Sequence, residues 1–170
     1  MPSPFSISYG EYLKHRQYMN KVLEVASIAS KLGEVPVGAL IVDHLGNILS
    51  IKGNSKQTRQ DPTAHAEILA IQTACHQLGT WRLDKCTMYV NLEPCPMCAG
   101  AIIQARVGQL VYSLDNPKTG SIRTLINLPD GASSNHRLKV ISGIMELEAR
   151  EQMQSWFEQA LRANTKSTPK

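Results

Sequence analysis

The chain has 170 residues, of which 42% are hydrophobic, and it carries a formal net charge of +4. This length supports one complete hydrophobic core but not two ordinary domains, so we expect a single domain over residues 1–170. The sequence contains no apolar run long enough to span a membrane and no signal peptide at its start, which predicts a cytoplasmic protein. The mild positive charge is compatible with a polyanionic partner, but it is equally ordinary for a soluble enzyme.

Apolar periodicity in the first half of the chain predicts two helices and a hairpin. A long first helix covers about residues 9–32. Short apolar runs at 37–42 and 48–51, separated by turn residues, predict paired β-strands. The next helix is expected to open at Asp61-Pro62-Thr63 and to run to about Leu78, because an aspartate followed by proline is a common helix start.

The second half of the chain predicts strands that alternate with helices. The expected elements are strands at 86–92, 109–113 and 138–141, a helix at 96–106, and a last helix at about 146–161 before a frayed C-terminal tail. The strand, helix and strand between 86 and 113 form a β-α-β unit. Together the pattern predicts an α/β fold, a three-layer α/β/α sandwich with a mixed central sheet of about five strands.

Two short fragments contain the residues of a candidate metal site. His65 and Glu67 lie near the start of a predicted helix, and Cys95 and Cys98 lie where a strand meets the following helix. Residues three apart share one face of a helix, so both thiolates can bind one ion, and the helix dipole favours their ionisation. Two thiolates and one imidazole are ligands that suit zinc. We therefore predict a zinc site formed by His65, Cys95 and Cys98.

Three protein ligands leave the fourth position of a tetrahedral zinc for water. Catalytic zinc sites keep this position open, and the metal lowers the pKa of the bound water to about 7. Glu67 follows His65 by two positions and points elsewhere, which leaves it free to transfer protons as the catalytic acid and base. A closed structural site with Cys75 or Cys86 as the fourth ligand is the alternative that the sequence leaves open.

The pattern His-x-Glu with Pro-Cys-x-x-Cys is a known signature of zinc-dependent nucleobase deaminases. Together with the fragments around it, the chain resembles the tRNA-specific adenosine deaminase family, within the cytidine and deoxycytidylate deaminase-like superfamily, over about residues 19–157. The fragments that carry this resemblance are 35–39, Asn54, 61–68, 81–83, 92–101, 118–120 and 135–137.

This resemblance implies a cytidine deaminase-like fold and the hydrolytic deamination of adenosine to inosine at the wobble position of a tRNA anticodon. It also implies one zinc ion per subunit, a homodimer, and an anticodon stem-loop whose unpaired base enters a deep pocket. The substrate-binding residues that it implies are Asn54 at the base, the backbone of Ala66 and Pro94, Asn116 and Lys118 at the RNA, and Phe157, beside Trp156, at the anticodon loop.

One residue departs from the pattern of that family. Two positions before Lys118 the family commonly has an aspartate, where this chain has Asn116. An aspartate can accept hydrogen bonds from ribose hydroxyls, whereas asparagine lacks the charge and adds a donor. We hypothesise that Asn116 weakens discrimination between RNA and DNA, unless the adjacent Asp115 takes over. Residues 120–124 are a second departure, because bacterial relatives often have small residues there.

Two other functions fit the same motifs. A deaminase of a free base or nucleotide, of the guanine or deoxycytidylate type, would keep the zinc ligands and Glu67. A non-catalytic zinc module that binds RNA would keep the ligands but could dispense with Glu67. The presence of Glu67 therefore favours an enzyme, and the size of the substrate would separate the two kinds of deaminase.

Overall fold

The computed structural model describes residues 7–166 and, in the last helix, the side chains as far as residue 162. None of the described helices combines the length and apolarity needed to cross a bilayer. The elements follow in the order α1 (Tyr9–Lys31), β1 (Gly38–Val42), β2 (Ile48–Gly53), α2 (Lys56–Arg59), α3 (Ala66–Leu78), β3 (Thr87–Leu92), α4 (Pro96–Gln104), β4 (Gln109–Leu114), β5 (Lys139–Ser142) and α5 (Glu146–Lys166).

The five strands form one mixed sheet in the order β2-β1-β3-β4-β5. β1 pairs antiparallel with β2 and β3, whereas β4 pairs in parallel with β3 and β5. A parallel pair needs a crossover connection, which α4 supplies between β3 and β4. The predicted α/β architecture and its mixed sheet of five strands are therefore confirmed.

Helices cover both faces of this sheet. Because side chains alternate along a strand, Ile41 packs in one cluster with Ala70 of α3 and Ile102 of α4, while Leu40 packs with Met19 of α1 on the opposite face. α5 lies beside α1, to which it is joined by a hydrogen bond and an ion pair. The core is thus divided between the two faces, as expected for three layers.

Four strand ends meet at one edge of the sheet. β3 and β4 are parallel and end there, at Leu92 and Leu114. β1 runs antiparallel to β3, so its first residue, Gly38, lies at the same edge, paired with Gly53 at the end of β2. The segments next to these four ends carry most of the candidate site residues.

The predicted start of the second long helix was wrong. α3 begins at Ala66, and Asp61 instead accepts hydrogen bonds from the N–H and the hydroxyl of Thr63 in a local turn. The single-turn helix α2 was not predicted. α5 extends to Lys166, past the predicted end near residue 161, and the rest of the predicted tail lies outside the described residues.

Candidate metal centre and active site

Three side chains with metal-binding atoms converge where α3 and α4 begin. His65 Nδ1 lies 3.5 Å from Cys98 Sγ and 3.8 Å from Cys95 Sγ, and the three ligand atoms lie within 4.8 Å of one another. Tetrahedral zinc, with bonds of about 2.3 Å to sulfur and about 2.0–2.1 Å to nitrogen, would hold such atoms about 3.6 Å apart. The donor set and its spacing therefore fit zinc.

The local backbone leaves two of these ligands free for a metal. His65 is the N-cap residue of α3 and Cys95 that of α4, and both have extended backbone. Neither side chain forms a capping hydrogen bond with its own helix. Pro96 occupies the first turn of α4, where its missing N–H costs nothing. One turn of helix then brings Cys98 to the same side as Cys95.

The two cysteines differ in burial and protonation. A hydrogen bond from Cys98 lowers the pKa of half-buried Cys95 to about 4, against the opposing effect of burial, and His65 acts in the same direction. The same hydrogen bond, together with burial, raises the pKa of Cys98. The hydrogen bond with Cys95 also raises the pKa of His65. Cys95 is therefore a thiolate at neutral pH, which is the form that binds metals.

Glu67 lies in the first turn of α3 and is buried, with 4% of its surface exposed. Its Oε2 atom has no hydrogen-bond partner among the described residues. Burial raises the pKa of this carboxyl, and the charges of His65 and Cys95 are close enough to act on it. A buried carboxylate oxygen without a hydrogen bond is costly to a fold, so its position beside a metal-binding cluster indicates a chemical role.

A cavity of about 150 Å³ opens beside His65 and Cys95. Its lining is drawn from all four strand ends and from α2 and α3: Val35, Val37, Asn54, Lys56, His65, Glu67, Leu92, Glu93, Cys95, Asn116 and Thr119. Asn54 and Asn116 are thus brought together with the ligands. Asn54 is buried, and its side-chain amide forms no hydrogen bond within the described part of the chain, which leaves it available to a ligand.

Residues 115–124, which we call the β4 loop, form one wall of this cavity. Asn116 Oδ1 accepts hydrogen bonds from two backbone N–H groups further along the loop, and its Nδ2 donates to Thr119. Asp115 forms an ion pair with Arg123, with an N···O distance of 2.9 Å. The Asp115 carboxylate is therefore engaged inside the loop, and Arg123 supplies a contact that a small residue at that position would lack.

Lys118 and Phe157 contact each other outside the cavity lining. Lys118 Nζ lies 5.4 Å from the centre of the Phe157 ring, within the range of a cation–π interaction. The Phe157 side chain is 43% exposed, and Trp156 packs against it edge-on with ring centres 5.1 Å apart. Lys118 and Phe157, two of the residues that were predicted to meet RNA, thus link the β4 loop to α5.

The remaining sequence candidates lie just outside the site. Ala66 and Pro94 are buried, and their chain neighbours line the cavity in their place. Cys75 and Cys86 do not belong to the ligand cluster, so the described residues give no support to a closed four-ligand site. A wider concavity of about 550 Å³ lies over residues 129–138, but it contains none of the ligand residues.

Sequence reasoning did not identify Glu93, which is 1% exposed in the cavity lining. Burial would raise the pKa of its carboxyl, but hydrogen bonds from the Asn116 N–H, the Thr124 hydroxyl and the β4 loop backbone outweigh burial and lower it. These partners lie 23 to 31 positions further along the chain, so no local sequence pattern predicts these hydrogen bonds. The only available signal was the place of Glu93 directly before the Pro-Cys-x-x-Cys fragment.

Comparison with known proteins identifies deaminases among those similar to this chain. The family model described as MafB19-like deaminase matches residues 13–161. The chain is 42% identical over 153 residues to the tRNA-specific adenosine deaminase of Bacillus subtilis, an alignment that covers 90% of this chain and 94% of that protein.

Solved structures give the same picture. A structure from a study of A-to-I editing by tRNA:A34 deaminases at the wobble position of transfer RNA is 38% identical, with a TM-score of 0.78, and covers 80% of this chain and 98% of that one. Guanine deaminase from Bacillus subtilis is 37% identical, with a TM-score of 0.54 over 64% of this chain and 66% of that one. From its site, its fold and these similarities, the chain belongs to the tRNA-specific adenosine deaminase family.

Proposed function

We propose that this protein catalyses the zinc-dependent hydrolysis of adenosine to inosine at the wobble position of a tRNA anticodon. The observation that carries the proposal is the buried Glu67 carboxyl, whose Oε2 has no partner among the described residues and which lines the same cavity as His65 and Cys95. The membership of the chain in a tRNA-specific deaminase family supports the choice of substrate.

Glu67 has the environment of a group that moves protons. When zinc is bound by His65, Cys95 and Cys98, it lowers the pKa of a coordinated water and so supplies hydroxide, the nucleophile for C6 of adenine, near neutral pH. Because burial raises the pKa of Glu67, this side chain can hold a proton nearer to neutral pH than an exposed glutamate can. Glu67 would take the proton that the attacking water loses and pass it to N1 of the base as the oxygen adds to C6. It would then carry the proton of the new C6 hydroxyl to the amino group, which leaves as ammonia when the C6–N6 bond breaks.

The size of the cavity restricts what can react. A space of about 150 Å³ is closed on several sides by the strand ends, so only a base that has left its stack can enter it. Bases of an anticodon loop are unpaired and can be splayed outward in this way. The free amide of Asn54 would then form hydrogen bonds with the edge of the base.

The β4 loop and α5 would hold the RNA around that base. Lys118 would contact a phosphate, and Phe157 would stack on a base of the loop, which is worth about 1–3 kcal/mol in comparable sites. Asn116, in the cavity wall, would face the ribose of the target nucleotide with an amide in place of a carboxylate. The backbone of Ala66 and Pro94 would support these walls from behind the residues that line the cavity.

We also propose that the protein is a homodimer with one zinc ion per subunit, and that it works on tRNA in the cytoplasm. The apolar side chains of Met97, Leu125 and Ile126 support a protein partner, because they are 36%, 58% and 47% exposed close to the site. Sedimentation of the zinc-loaded protein would give its oligomeric state directly.

An anticodon stem-loop with a wobble adenosine is the substrate that tests the proposal. We expect inosine at the wobble position, detected by nuclease digestion and mass spectrometry. The matched control is the same stem-loop with its only adenosine moved into the paired stem, which should remain unmodified. Absence of inosine with zinc-loaded protein would contradict the proposal.

The similarity to guanine deaminase makes deamination of a free base the second candidate. Guanine, free adenosine and deoxycytidylate should therefore be assayed beside the stem-loop at equal concentrations. Turnover of one of these small molecules in preference to the stem-loop would favour the second candidate. A protein that bound RNA without deaminating any of them would be a non-catalytic module.

A further inference from the structure

We propose that Glu93 is a positioning residue that sets the distance between the metal-binding segment and the wall of the pocket that meets the substrate. This inference rests on the proposed function only for the identity of that substrate. Glu93 is the first residue after β3. Its N–H donates a hydrogen bond to Leu114 O and so extends the pairing of β3 with β4. Its side chain then leaves the sheet toward the β4 loop, while its chain leads two residues later to Cys95.

The carboxylate of Glu93 closes the β4 loop into a ring. Its Oε2 accepts hydrogen bonds from the Asn116 N–H, at 3.0 Å, and from the Thr124 hydroxyl. Its Oε1 accepts from three successive N–H groups, those of Ile122, Arg123 and Thr124, at 3.1, 2.8 and 3.0 Å. Both ends of the loop are therefore held by one buried side chain, and we call this arrangement the Glu93 clamp.

Gly120 provides an independent sign of how closely the clamp is packed. A Cβ atom added to Gly120 would lie 2.2 Å from Glu93 Oε2 and 2.6 Å from Asn116 O, which no side chain can tolerate. The next residue, Ser121, donates its N–H to Pro94 O at 3.0 Å. The loop thus touches the segment that leads to Cys95 through the side chain of Glu93 and again through the backbone.

The Glu93 clamp connects the metal-binding segment to the cavity wall formed by the β4 loop. On one side lies Cys95, whose position follows that of Glu93 along the chain. On the other side lie Asn116 and Thr119, which line the cavity that would hold the base. Glu93 itself has every carboxylate oxygen occupied by loop donors, so it has no capacity left for proton transfer. Its effect is therefore on how well the substrate fits.

Two substitutions break the clamp by different routes. Glu93→Gln keeps the shape but leaves a single acceptor oxygen for five donors, and Gly120→Ala forces the carboxylate away. We expect each to lower kcat/KM for the anticodon stem-loop by about 10- to 100-fold, mainly through KM, because a displacement of about 1 Å can cost about 100-fold. The double variant should be little worse than either single one, since both remove the same interaction.

Two comparisons separate positioning from a general loss of structure. Gly10→Ala is the matched glycine control, because a Cβ added at Gly10 meets no atom within 4 Å, and its kinetics should equal those of the unmodified protein. Thr124→Val keeps the side-chain shape and removes one hydrogen bond of the clamp, so it should give a smaller rise in KM. All variants are compared as zinc-loaded proteins.

Hydrogen exchange tests the clamp without any substrate. In Glu93→Gln the amides of residues 116 and 122–124 should exchange faster, while those of α3 should not change. Faster exchange with an unaltered KM would overturn the positioning role, and unaltered exchange would show that the clamp does not hold the loop. If the unmodified protein fails to deaminate the stem-loop, the proposed function fails instead, and exchange still decides whether Glu93 holds the β4 loop.

Discussion

Glu67 and Glu93 are both buried in the lining of one cavity, yet their surroundings have opposite effects on them. Glu67 has an oxygen without a partner among the described residues, and burial raises the pKa of its carboxyl. Glu93 receives five hydrogen bonds, which lower the pKa of its carboxyl in spite of burial. A carboxylate with all its acceptors filled is committed to its ionised form and to the backbone it holds, whereas one with an unfilled acceptor can exchange a proton.

Loss of the metal should have the largest effect on deamination, because zinc would supply the hydroxide that attacks the base. We expect Cys98→Ser to lose most of its zinc and to deaminate only at the background level. The control is Cys75→Ser, whose thiol lies outside the ligand cluster and should not affect zinc content. Zinc per subunit is measured by elemental analysis. Zinc loss from Cys75→Ser would revive the closed four-ligand site.

Glu67→Gln removes the carboxyl that would transfer protons and leaves the three metal-binding residues unchanged. An amide cannot accept and return a proton, so kcat should fall by about 100- to 10,000-fold with zinc content unchanged. Single-turnover assays on the wobble-adenosine stem-loop measure this rate. A variant that kept full zinc and near-normal turnover would remove Glu67 from the mechanism.

The same two glutamates should differ in what their substitution costs in stability. Glu93→Gln leaves buried N–H groups without an acceptor and should lower the free energy of unfolding by about 1–3 kcal/mol. Glu67→Gln replaces a poorly solvated acid by a neutral isostere and should cost nothing. Urea midpoints of the zinc-loaded proteins provide the comparison. Equal losses in both variants would mean that the two carboxyls have equivalent structural roles.

Asn116→Asp alters charge beside the clamp without touching it, because the clamp uses the backbone N–H of this residue. The two oxygens of aspartate can still accept hydrogen bonds from the loop backbone, so the loop should keep its shape. We expect the ratio of activity on RNA to activity on a matched DNA hairpin to rise. An unchanged ratio would refute the hypothesis that Asn116 relaxes this discrimination.

His15 extends the comparison to the opposite face of the sheet, where its Nδ1 lies 2.9 Å from the Tyr89 hydroxyl. Burial, and then the charge of Lys14, lower the pKa of His15 from its usual 6.5. The unfolded chain therefore binds a proton more readily, so this residue's contribution to stability is complete above pH 6.5 and declines as the pH falls. Thermal midpoints at about pH 7.5 and about pH 5.5 should drop less for His15→Gln than for the unmodified protein.

Much of the fold, and the grouping of His65, Cys95 and Cys98, could be predicted because they follow from local patterns. The apolar runs give the hairpin and the β-α-β unit, and the spacing of Cys95 and Cys98 gives a shared ligand face. The start of α3 was missed because Asp61 resembles a helix cap, whereas the helix begins at Ala66, after His65 has kept the extended backbone that orients its ring.

Tertiary contacts account for the rest of what the sequence did not reveal. α2 is a single turn without an apolar face, and buried Glu34 holds it by accepting hydrogen bonds from the N–H and hydroxyl of Thr58. Glu93 depends in the same way on donors far along the chain. Lys56 and Thr119 enter the cavity lining only because the sheet brings β2 and β4 to a common edge.

The half-buried position of Cys95 at the start of α4 has a practical consequence for the handling of this protein. A thiol with a pKa of about 4 stays ionised at neutral pH, and an ionised sulfur is the form that oxidants and alkylating reagents attack. Bound zinc would shield it, so chelation should expose Cys95 to oxidation as well as remove the metal. When zinc is added back after chelator treatment, activity should return in samples kept reduced throughout. Samples that met oxidant while the metal was absent should regain less.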